Sequence, residues 1–327
     1  SSIFLASSFF CSEALSTPTH PPLTQTVSPL KKGAIIGSMK TTIQTWLSLG
    51  LDKKDIELID AVNLKCGSGC EVFDCHIKAD LNIEHVFLKV YDDSFDDYSK
   101  LGIVDTVKKN LLAFNELVEY SIPMPKILGW VPLNSEIAIL TEKVVTKKWN
   151  LETRLEAARI IARLHNIDVN RLSDDLSTLI RKSTINRTRV FNGLDVVPIL
   201  DEKSPQWKWE NSDLVSTIEE LAESGEPVAA TETIVHGDYF SSNILLDESG
   251  IKIIDWDLLS LGDPMWDLGF LIGADPHLMK EEIEATVSAY QTIRPINEYN
   301  LIWHKKCWLA FWQIQDLLRN VSKLETG

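Results

Sequence analysis

The pattern of apolar and polar positions changes character twice along the chain. Residues 1–38 are rich in Ser, Thr and Pro, and no amphipathic period extends beyond the short apolar run Ile3–Phe10. This composition fits a cloning remnant, an acid-poor targeting peptide or a disordered tail, and it predicts no packed structure. Regular periods begin at residue 39, and near residue 145 a strand-rich pattern gives way to a helix-rich one.

Residues 39–145 predict a short helix and a five-stranded sheet. The apolar spacing of Thr41–Leu49 is helical. Apolar runs between turn residues predict strands at Glu57–Leu64, Glu71–Lys78, Val86–Tyr91, Lys126–Val131 and Glu136–Thr141. A long helical period covers Gly102–Tyr120 and is ended by Pro123 and Pro125. We therefore predict an antiparallel sheet with one helix inserted after its third strand.

Residues 146–327 predict a mainly helical part. Apolar residues at one-face spacing, with His165 among them, make Leu151–Leu164 a helix, and a second helix lies around Asp213–Ser224. Two short strands follow, Asn243–Leu246 and Ile251–Ile254, joined by a turn that contains Gly250. The remainder, Asp267–Leu324, is helical in pattern. The chain is thus predicted to be α+β, with two lobes at 39–145 and 146–327.

Composition and charge exclude several classes of protein. With 327 residues, 44% of them hydrophobic, the chain can build two lobes with real cores. No apolar run reaches the ~18 residues that span a bilayer. A net charge of −15 argues against nucleic acid and against an anionic membrane surface, since both attract clustered Lys and Arg. The acidity permits a cationic ligand, and a diffuse solubilising surface charge explains it equally well.

A cluster of metal-ligand residue types lies in the first half of the chain, at Cys66, Cys70, Cys75 and His76. Its spacing is not the C-x2-C pattern that recurs in zinc sites. Five cysteines are also an odd number for a disulfide framework. We expect small, buried, reduced thiols with a metal site as the alternative, and a soluble protein in the cytoplasm.

The densest group of chemistry-bearing residues lies between Ile234 and Leu271. Asp238 is on a loop, Asn243 opens a predicted strand, and Asp255 ends the next one. A loop carboxylate can accept the proton of a hydroxyl group, while an amide oxygen and a strand-end carboxylate can bind Mg²⁺. These residues are the minimal set for phosphoryl transfer from a metal-bound nucleotide. The alternative is that Asp238 and Asn243 merely cap the hairpin.

Two features of the strand-rich part fit the same chemistry. The turn after the first strand contains Gly67, Ser68 and Gly69, and glycines let backbone N–H groups approach phosphates closely. Lys89, in the third strand, lies between Leu88 and Val90 and so points to the opposite face, toward that turn. Each feature alone also fits an ordinary turn or a solvated lysine. Together with the Asp-Asn-Asp set they follow the order that a kinase requires.

At these motifs the sequence resembles the aminoglycoside phosphotransferase and choline kinase-type small-molecule kinases. The likeness covers roughly Asn63–Leu271 and is strongest at HGDYFSSN and IDWDLLSLGDPMWDLG. HGD and DWD stand where protein kinases have HRD and DFG. The resemblance implies the bilobal protein-kinase-like fold, ATP and Mg²⁺ as cofactors, and a small-molecule hydroxyl as acceptor.

The resemblance also implies a role for each matching residue. Asp238 would be the catalytic base, Asn243 and Asp255 the Mg²⁺ ligands, and His236 and Asp267 the braces of the catalytic loop. Lys89 would hold the α- and β-phosphates beneath the glycine turn. Adenine would meet the backbone of the hinge Thr141–Val144, which includes Glu142 and Val144.

The chain departs from the family at the long helix. The family has a glutamate there that pairs with the strand lysine, and this position falls near Asn110. Glu116 is on the same helix but about 240° away around its axis, at 100° per residue. Either the register is shifted and Glu116 serves, or Lys89 lacks its usual partner.

The substrate stays open at this level. Trp308 and Trp312 are one helical turn apart and could face a quaternary amine by cation–π contact, or they could belong to the helix-packing core. Asp257 would assist at the metal or face the substrate. Aminoglycosides, choline-type amino alcohols and sugars all fit, as does the different class of a nucleotide-binding pseudokinase. The oligomeric state is not predicted.

Overall fold

The computed structural model of the chain describes nine stretches, which are residues 37–52, 55–64, 70–78, 85–92, 101–133, 135–144, 149–183, 206–229 and 231–325. The predicted glycine turn of Gly67, Ser68 and Gly69, and also Cys66, lie outside the described residues. The described residues divide into two compact units, one drawn from the ranges 1–96 and 125–144, the other from 97–124 and 145–327.

The first unit contains a helix, α1 (Gly37–Gly50), and five strands. The strands are β1 (Glu57–Asn63), β2 (Cys70–Lys78), β3 (His85–Tyr91), β4 (Ile127–Leu133) and β5 (Glu136–Glu142). They form one sheet in the order β1-β2-β3-β5-β4, with every neighbouring pair antiparallel. The predicted five-stranded antiparallel sheet is confirmed.

One face of this sheet is buried against α1. The alternation of β3 sends Leu88 and Val90 into a core shared with Trp46 and Leu47 of the helix. β4 contains Pro132, which lacks an N–H donor, and it lies at the edge of the sheet, where that loss is tolerated. The prediction placed the first helix at residue 41, whereas α1 begins at Gly37.

The second unit contains eight helices among its described residues. They are α2 (Ile103–Glu116), α3 (Leu151–His165), α4 (Asp174–Lys182), α5 (Trp207–Glu210), α6 (Ser212–Ser224), α7 (Met265–Gly273), α8 (Lys280–Gln291) and α9 (Glu298–Glu325). Two strand pairs accompany them, β6 (Thr233–Val235) with β9 (Ser260–Gly262) and β7 (Ile244–Asp247) with β8 (Gly250–Ile253). The prediction of a mainly helical C-terminal part is confirmed.

The core of this unit surrounds α3. Ala157, Ala158 and Ile161 of that helix are fully buried among residues of the strand pairs and of α8, such as Ile253 and Tyr290. The small alanines let neighbouring elements approach the helix closely. Helix α2, which the prediction grouped with the first lobe, clusters with this second unit. Within the described residues, no helix is both long enough and apolar enough to cross a bilayer.

Candidate active site

The catalytic-loop candidate follows β6 directly and buries its polar side chains. Asp238 is 8% exposed and Asn243 is 7% exposed. The Asn243 Nδ2 group donates to Asp238 O at 2.9 Å and to Asp238 Oδ2 at 2.7 Å. Asn243 lies in the 3-10 turn Ser241–Asn243, one residue before β7, and not in the strand where the sequence placed it. The two residues are brought together as one hydrogen-bonded unit.

His236 connects the loop to Ile254, the residue after β8. Its Nε2 group donates to Ile254 O at 3.0 Å, and its Nδ1 accepts from the Asp238 N–H at 3.2 Å. These two contacts require the neutral ring with the proton on Nε2. Burial lowers the pKa of His236, against the opposing effect of Asp267, so the neutral form is the one expected. Gly237 has φ +88, a left-handed conformation that favours glycine.

The Asp267 carboxylate accepts hydrogen bonds from the backbone of the loop. Its Oδ2 accepts from the His236 N–H at 2.8 Å and its Oδ1 from the Gly237 N–H at 2.9 Å. His165 Nε2 lies 3.0 Å from Asp267 Oδ2, and His165 Nδ1 lies 2.8 Å from the Tyr290 hydroxyl. Burial lowers the pKa of His165, so its neutral ring donates to Asp267 and accepts from Tyr290. The fully buried carboxylate therefore has three N–H donors.

His165 and Tyr290 are site residues that sequence reasoning did not assign. The signal for His165 was present, because it directly follows the predicted helix Leu151–Leu164 and continues the spacing of its apolar face. A buried histidine requires partners for both ring nitrogens. Tyr290, on α8, has no comparable signal, since a tyrosine on a helix face fits an ordinary core position.

Asp255 lies two residues beyond the end of β8, at a tightly bent point of the chain. It has φ 64 and ψ 66, a left-handed conformation that is uncommon for a residue with a side chain. The Ile254 N–H donates to Asn243 O at 3.0 Å, which ties this bend to the catalytic loop. Since Asn243 donates to Asp238 through Nδ2, its Oδ1 and the Asp255 carboxylate are oxygen donors of the kind that Mg²⁺ prefers.

Asp257 and the long helix are joined by side-chain contacts. Asn110 Nδ2 donates to Asp257 Oδ1 at 2.6 Å. Both carboxylate oxygens of Glu116 accept from Ser173, at 2.8 Å from its N–H and 2.5 Å from its Oγ, at the start of α4. Glu116 thus serves the N-cap of another helix, α4.

The first unit holds the candidate nucleotide residues. Lys89 is on the sheet face opposite Leu88 and Val90, as predicted, and its Nζ lies 5.0 Å from the centre of the Tyr91 ring. Glu142 ends β5, and its carboxylate accepts from the Lys126 N–H at 2.9 Å. Val144 is buried.

The two tryptophans differ in their surroundings. Trp308 is 1% exposed and stacks on Phe270 with ring centres 3.7 Å apart and an interplanar angle of 6°. This contact favours the packing explanation for Trp308. Trp312 stacks on Phe240 of the catalytic loop, at 5.4 Å and 30°, and is 9% exposed.

The thiols of the described chain are free and buried, at Cys70, Cys75 and Cys307. Burial raises the pKa of Cys75 to about 12 and that of Cys307 to about 12, so both are inert thiols at neutral pH. Across the described residues, no three His, Cys, Asp or Glu side chains are grouped as a metal site would require.

Residues 152–299 match the sequence profile of the phosphotransferase enzyme family, APH. Both motifs from which the resemblance was inferred lie inside this range. The resemblance is therefore confirmed, and so is the class of enzyme, a kinase-type phosphotransferase with a hydroxyl acceptor. No curated protein sequence matches the chain.

Solved structures share the fold over most of the chain. A spectinomycin phosphotransferase in complex with ADP and spectinomycin has TM-score 0.61 and 17% identity, over 88% of this chain and 91% of that one. A phosphotransferase in a ternary complex with streptomycin and ATP has TM-score 0.52 and 15% identity, over 87% and 90%. An aminoglycoside phosphotransferase from Streptomyces rimosus has TM-score 0.51 and 20% identity, over 83% and 98%. The predicted α+β, protein-kinase-like fold is confirmed.

Proposed function

We propose that the protein is an ATP- and Mg²⁺-dependent phosphotransferase that phosphorylates a hydroxyl group of a small molecule. The observation that supports this most directly is the buried unit of Asp238 and Asn243, tied through Asn243 O to the bend at Asp255. All three residues lie within the range that matches the phosphotransferase family.

In the proposed reaction Asp238 orients the acceptor hydroxyl and takes its proton. The hydroxyl oxygen forms a bond to the γ-phosphorus as the bond from that phosphorus to the β–γ bridging oxygen breaks, and ADP leaves. The hydrogen bond from Asn243 to Oδ2 fixes the rotamer of Asp238 before the acceptor arrives. Such preorganisation reduces the entropy that must be lost to reach the transition state.

Asn243 Oδ1 and the Asp255 carboxylate would hold Mg²⁺, in keeping with their donor chemistry. The ion, when bound, neutralises charge on the nucleotide phosphates. On the nucleotide side, Lys89 and the turn Gly67–Gly69 would contact phosphates, and the backbone around Glu142 and Val144 would meet adenine. The buried free thiols fit a reducing compartment, and we place the reaction in the cytoplasm.

We propose that the acceptor is a small hydroxyl-bearing compound. Spectinomycin and streptomycin are bound in the solved complexes of two proteins with this fold. An aminoglycoside-like acceptor is the leading candidate for this chain, with choline, ethanolamine or a simple sugar as the alternative.

A nucleotide-binding pseudokinase is the second candidate. Asn110 stands near the position of the family's helix glutamate and donates to Asp257 instead. A pseudokinase would bind ATP and transfer phosphate to no hydroxyl compound, with or without divalent metal.

An ATP-consumption screen tests both candidates. Aminoglycosides, choline, ethanolamine, homoserine and simple sugars are offered with Mg²⁺, and phosphorylated product is identified by mass spectrometry. Asp238→Asn should lower kcat by about a hundredfold to ten-thousandfold, the usual contribution of a general base, while ATP affinity stays near that of the wild type. Asp247→Asn, the same change in the nearby β7–β8 hairpin, should keep full activity. Wild-type turnover in Asp238→Asn would refute Asp238 as the base.

A further inference from the structure

Lys109 is a buried lysine that the proposed reaction does not use. It lies within α2 with no exposed surface, and its Nζ donates to Asp257 O at 2.7 Å, Leu259 O at 3.0 Å and Ser183 Oγ at 3.1 Å. An ammonium group has three N–H donors, and here three oxygens lie within hydrogen-bond distance. Burying a lysine costs free energy that an apolar residue of the same size would not cost. The three polar contacts of Nζ therefore distinguish Lys109 from a side chain that only fills space in the core.

The next residue of α2 contacts the same segment. Asn110, 3% exposed, donates from Nδ2 to Asp257 Oδ1 at 2.6 Å. Lys109 thus donates to the backbone carbonyls of Asp257 and Leu259, and Asn110 donates to the Asp257 carboxylate. The held stretch includes the 3-10 turn Trp256–Leu258, which begins directly after Asp255.

The conformation of Asp255 explains why such anchoring matters. A left-handed residue with a side chain stores backbone strain and persists only where the surrounding structure determines it. On the upstream side, Ile254 is tied to Asn243. On the downstream side, Lys109 and Asn110 donate hydrogen bonds to residues two and four positions beyond the bend, Asp257 and Leu259. The direction of the Asp255 carboxylate therefore depends on α2.

We propose that Lys109 and Asn110 are positioning residues that fix the segment Asp255–Leu259 and thereby orient the Asp255 carboxylate for a divalent cation. This inference rests on the proposed function, in which Asp255 is a metal ligand. It gives α2 a role in the site that does not require a glutamate: the helix acts on the metal-binding segment through backbone carbonyls.

Mn²⁺ binding tests the inference without relying on turnover. Mn²⁺ shares the oxygen preference of Mg²⁺, and electron paramagnetic resonance measures its affinity for the protein in complex with a non-hydrolysable ATP analogue. Lys109→Met should weaken Mn²⁺ binding about tenfold to a hundredfold, the usual effect of losing a group that orients a metal ligand. Affinity for the analogue without metal should stay at the wild-type value. Amide hydrogen exchange at residues 255–259 should accelerate.

Two controls separate positioning from general loss of stability. Lys108→Met removes the same charge one residue earlier, where the side chain is half exposed and pairs with Asp175 at 2.8 Å, and it should leave Mn²⁺ affinity unchanged. Val107→Ala shortens a buried side chain of the same helix and supplies a variant with lowered Tm. It should keep Mn²⁺ affinity at temperatures where it is folded.

A second variant keeps the inference testable if Lys109→Met does not fold. Asn110→Ala removes one hydrogen bond to Asp257, leaves Lys109 in place, and should also weaken Mn²⁺ binding, though by less. Wild-type Mn²⁺ affinity in the folded variants, or an equal loss in Val107→Ala, would overturn the inference while the proposed function stands. A wild-type protein that binds the analogue but not Mn²⁺ would overturn both.

Discussion

At the scale of single residues, two buried histidines next to the candidate catalytic loop are held in the neutral form. His236 bridges Ile254 O and the Asp238 N–H, and His165 bridges Asp267 and Tyr290. A second proton on either ring would place a hydrogen on a nitrogen that now accepts a hydrogen bond. Both rings are fully buried, so the charged form would also lose its hydration.

This arrangement predicts a pH dependence of stability. Burial holds the pKa of both His165 and His236 below the ordinary value of 6.5. As pH falls below 6.5 the unfolded chain takes up these protons and the folded chain does not, so the free energy of unfolding decreases, by up to about 1.4 kcal/mol per pH unit for each ring. Above 6.5 neither state binds the protons, and the penalty is absent.

Urea unfolding between pH 5 and pH 8 measures this slope. His236→Gln should show a smaller decrease in unfolding free energy toward pH 5 than the wild type, because one of the two rings is gone. Identical slopes in the two proteins would contradict the neutral assignment of His236.

At the scale of elements, the position of the candidate catalytic loop depends on how closely α7 packs on α9. A Cβ added at Gly269 would lie 2.7 Å from His304 Cβ, and one added at Gly273 would lie 2.7 Å from Lys305 O. The stack of Phe270 on Trp308 lies on the same pair of helices. Since α7 contains Asp267, a displacement of this helix moves the brace of the loop.

Gly269→Ala is therefore expected to affect both stability and activity. The added methyl group should force α7 and α9 apart and lower the unfolding free energy by about 1–3 kcal/mol, the usual cost of overpacking. In Gly225→Ala the methyl group meets no atom within 4 Å, and only the backbone strain of φ +67 and ψ 170 remains, about 1–3 kcal/mol. Chemical denaturation compares their stabilities, and kcat should fall in Gly269→Ala alone. Unchanged kcat in Gly269→Ala would show that the packing of α7 on α9 does not affect the proposed active site.

Sequence patterns predicted the elements that bury a regular apolar face. The five strands of the sheet, α2 and α3 follow from periods of two or 3.6 residues. The three-residue strands β6 and β9 were missed because they are too short for a period, and their pairing of Thr233 with Gly262 joins distant parts of the chain. Lys109 was missed for a related reason: a lysine on a helix indicates a solvated face until its partners are known.

At the scale of the whole molecule, each compact unit contains some of the residues for which we propose a binding role. Lys89, Glu142 and Val144 belong to the first, and Asp238 and Asp255 belong to the second. A ligand that binds only the folded protein adds its binding free energy to stability, about 2.7 kcal/mol at a concentration one hundred times Kd. Nucleotide and metal should therefore raise Tm in separable steps.

Asp255→Asn separates the two steps. Asn tolerates the left-handed conformation of position 255 as well as Asp does, so the bend should persist while the charge of the proposed metal ligand is lost. Thermal unfolding with ADP alone should give the same rise in Tm in wild type and variant. Adding Mg²⁺ should raise Tm further in the wild type and in Asp247→Asn, and only weakly in Asp255→Asn. An equal Mg²⁺ increment in all three proteins would remove Asp255 from the metal site, because a neutral amide at the same position cannot replace the electrostatic attraction of a carboxylate for a divalent ion.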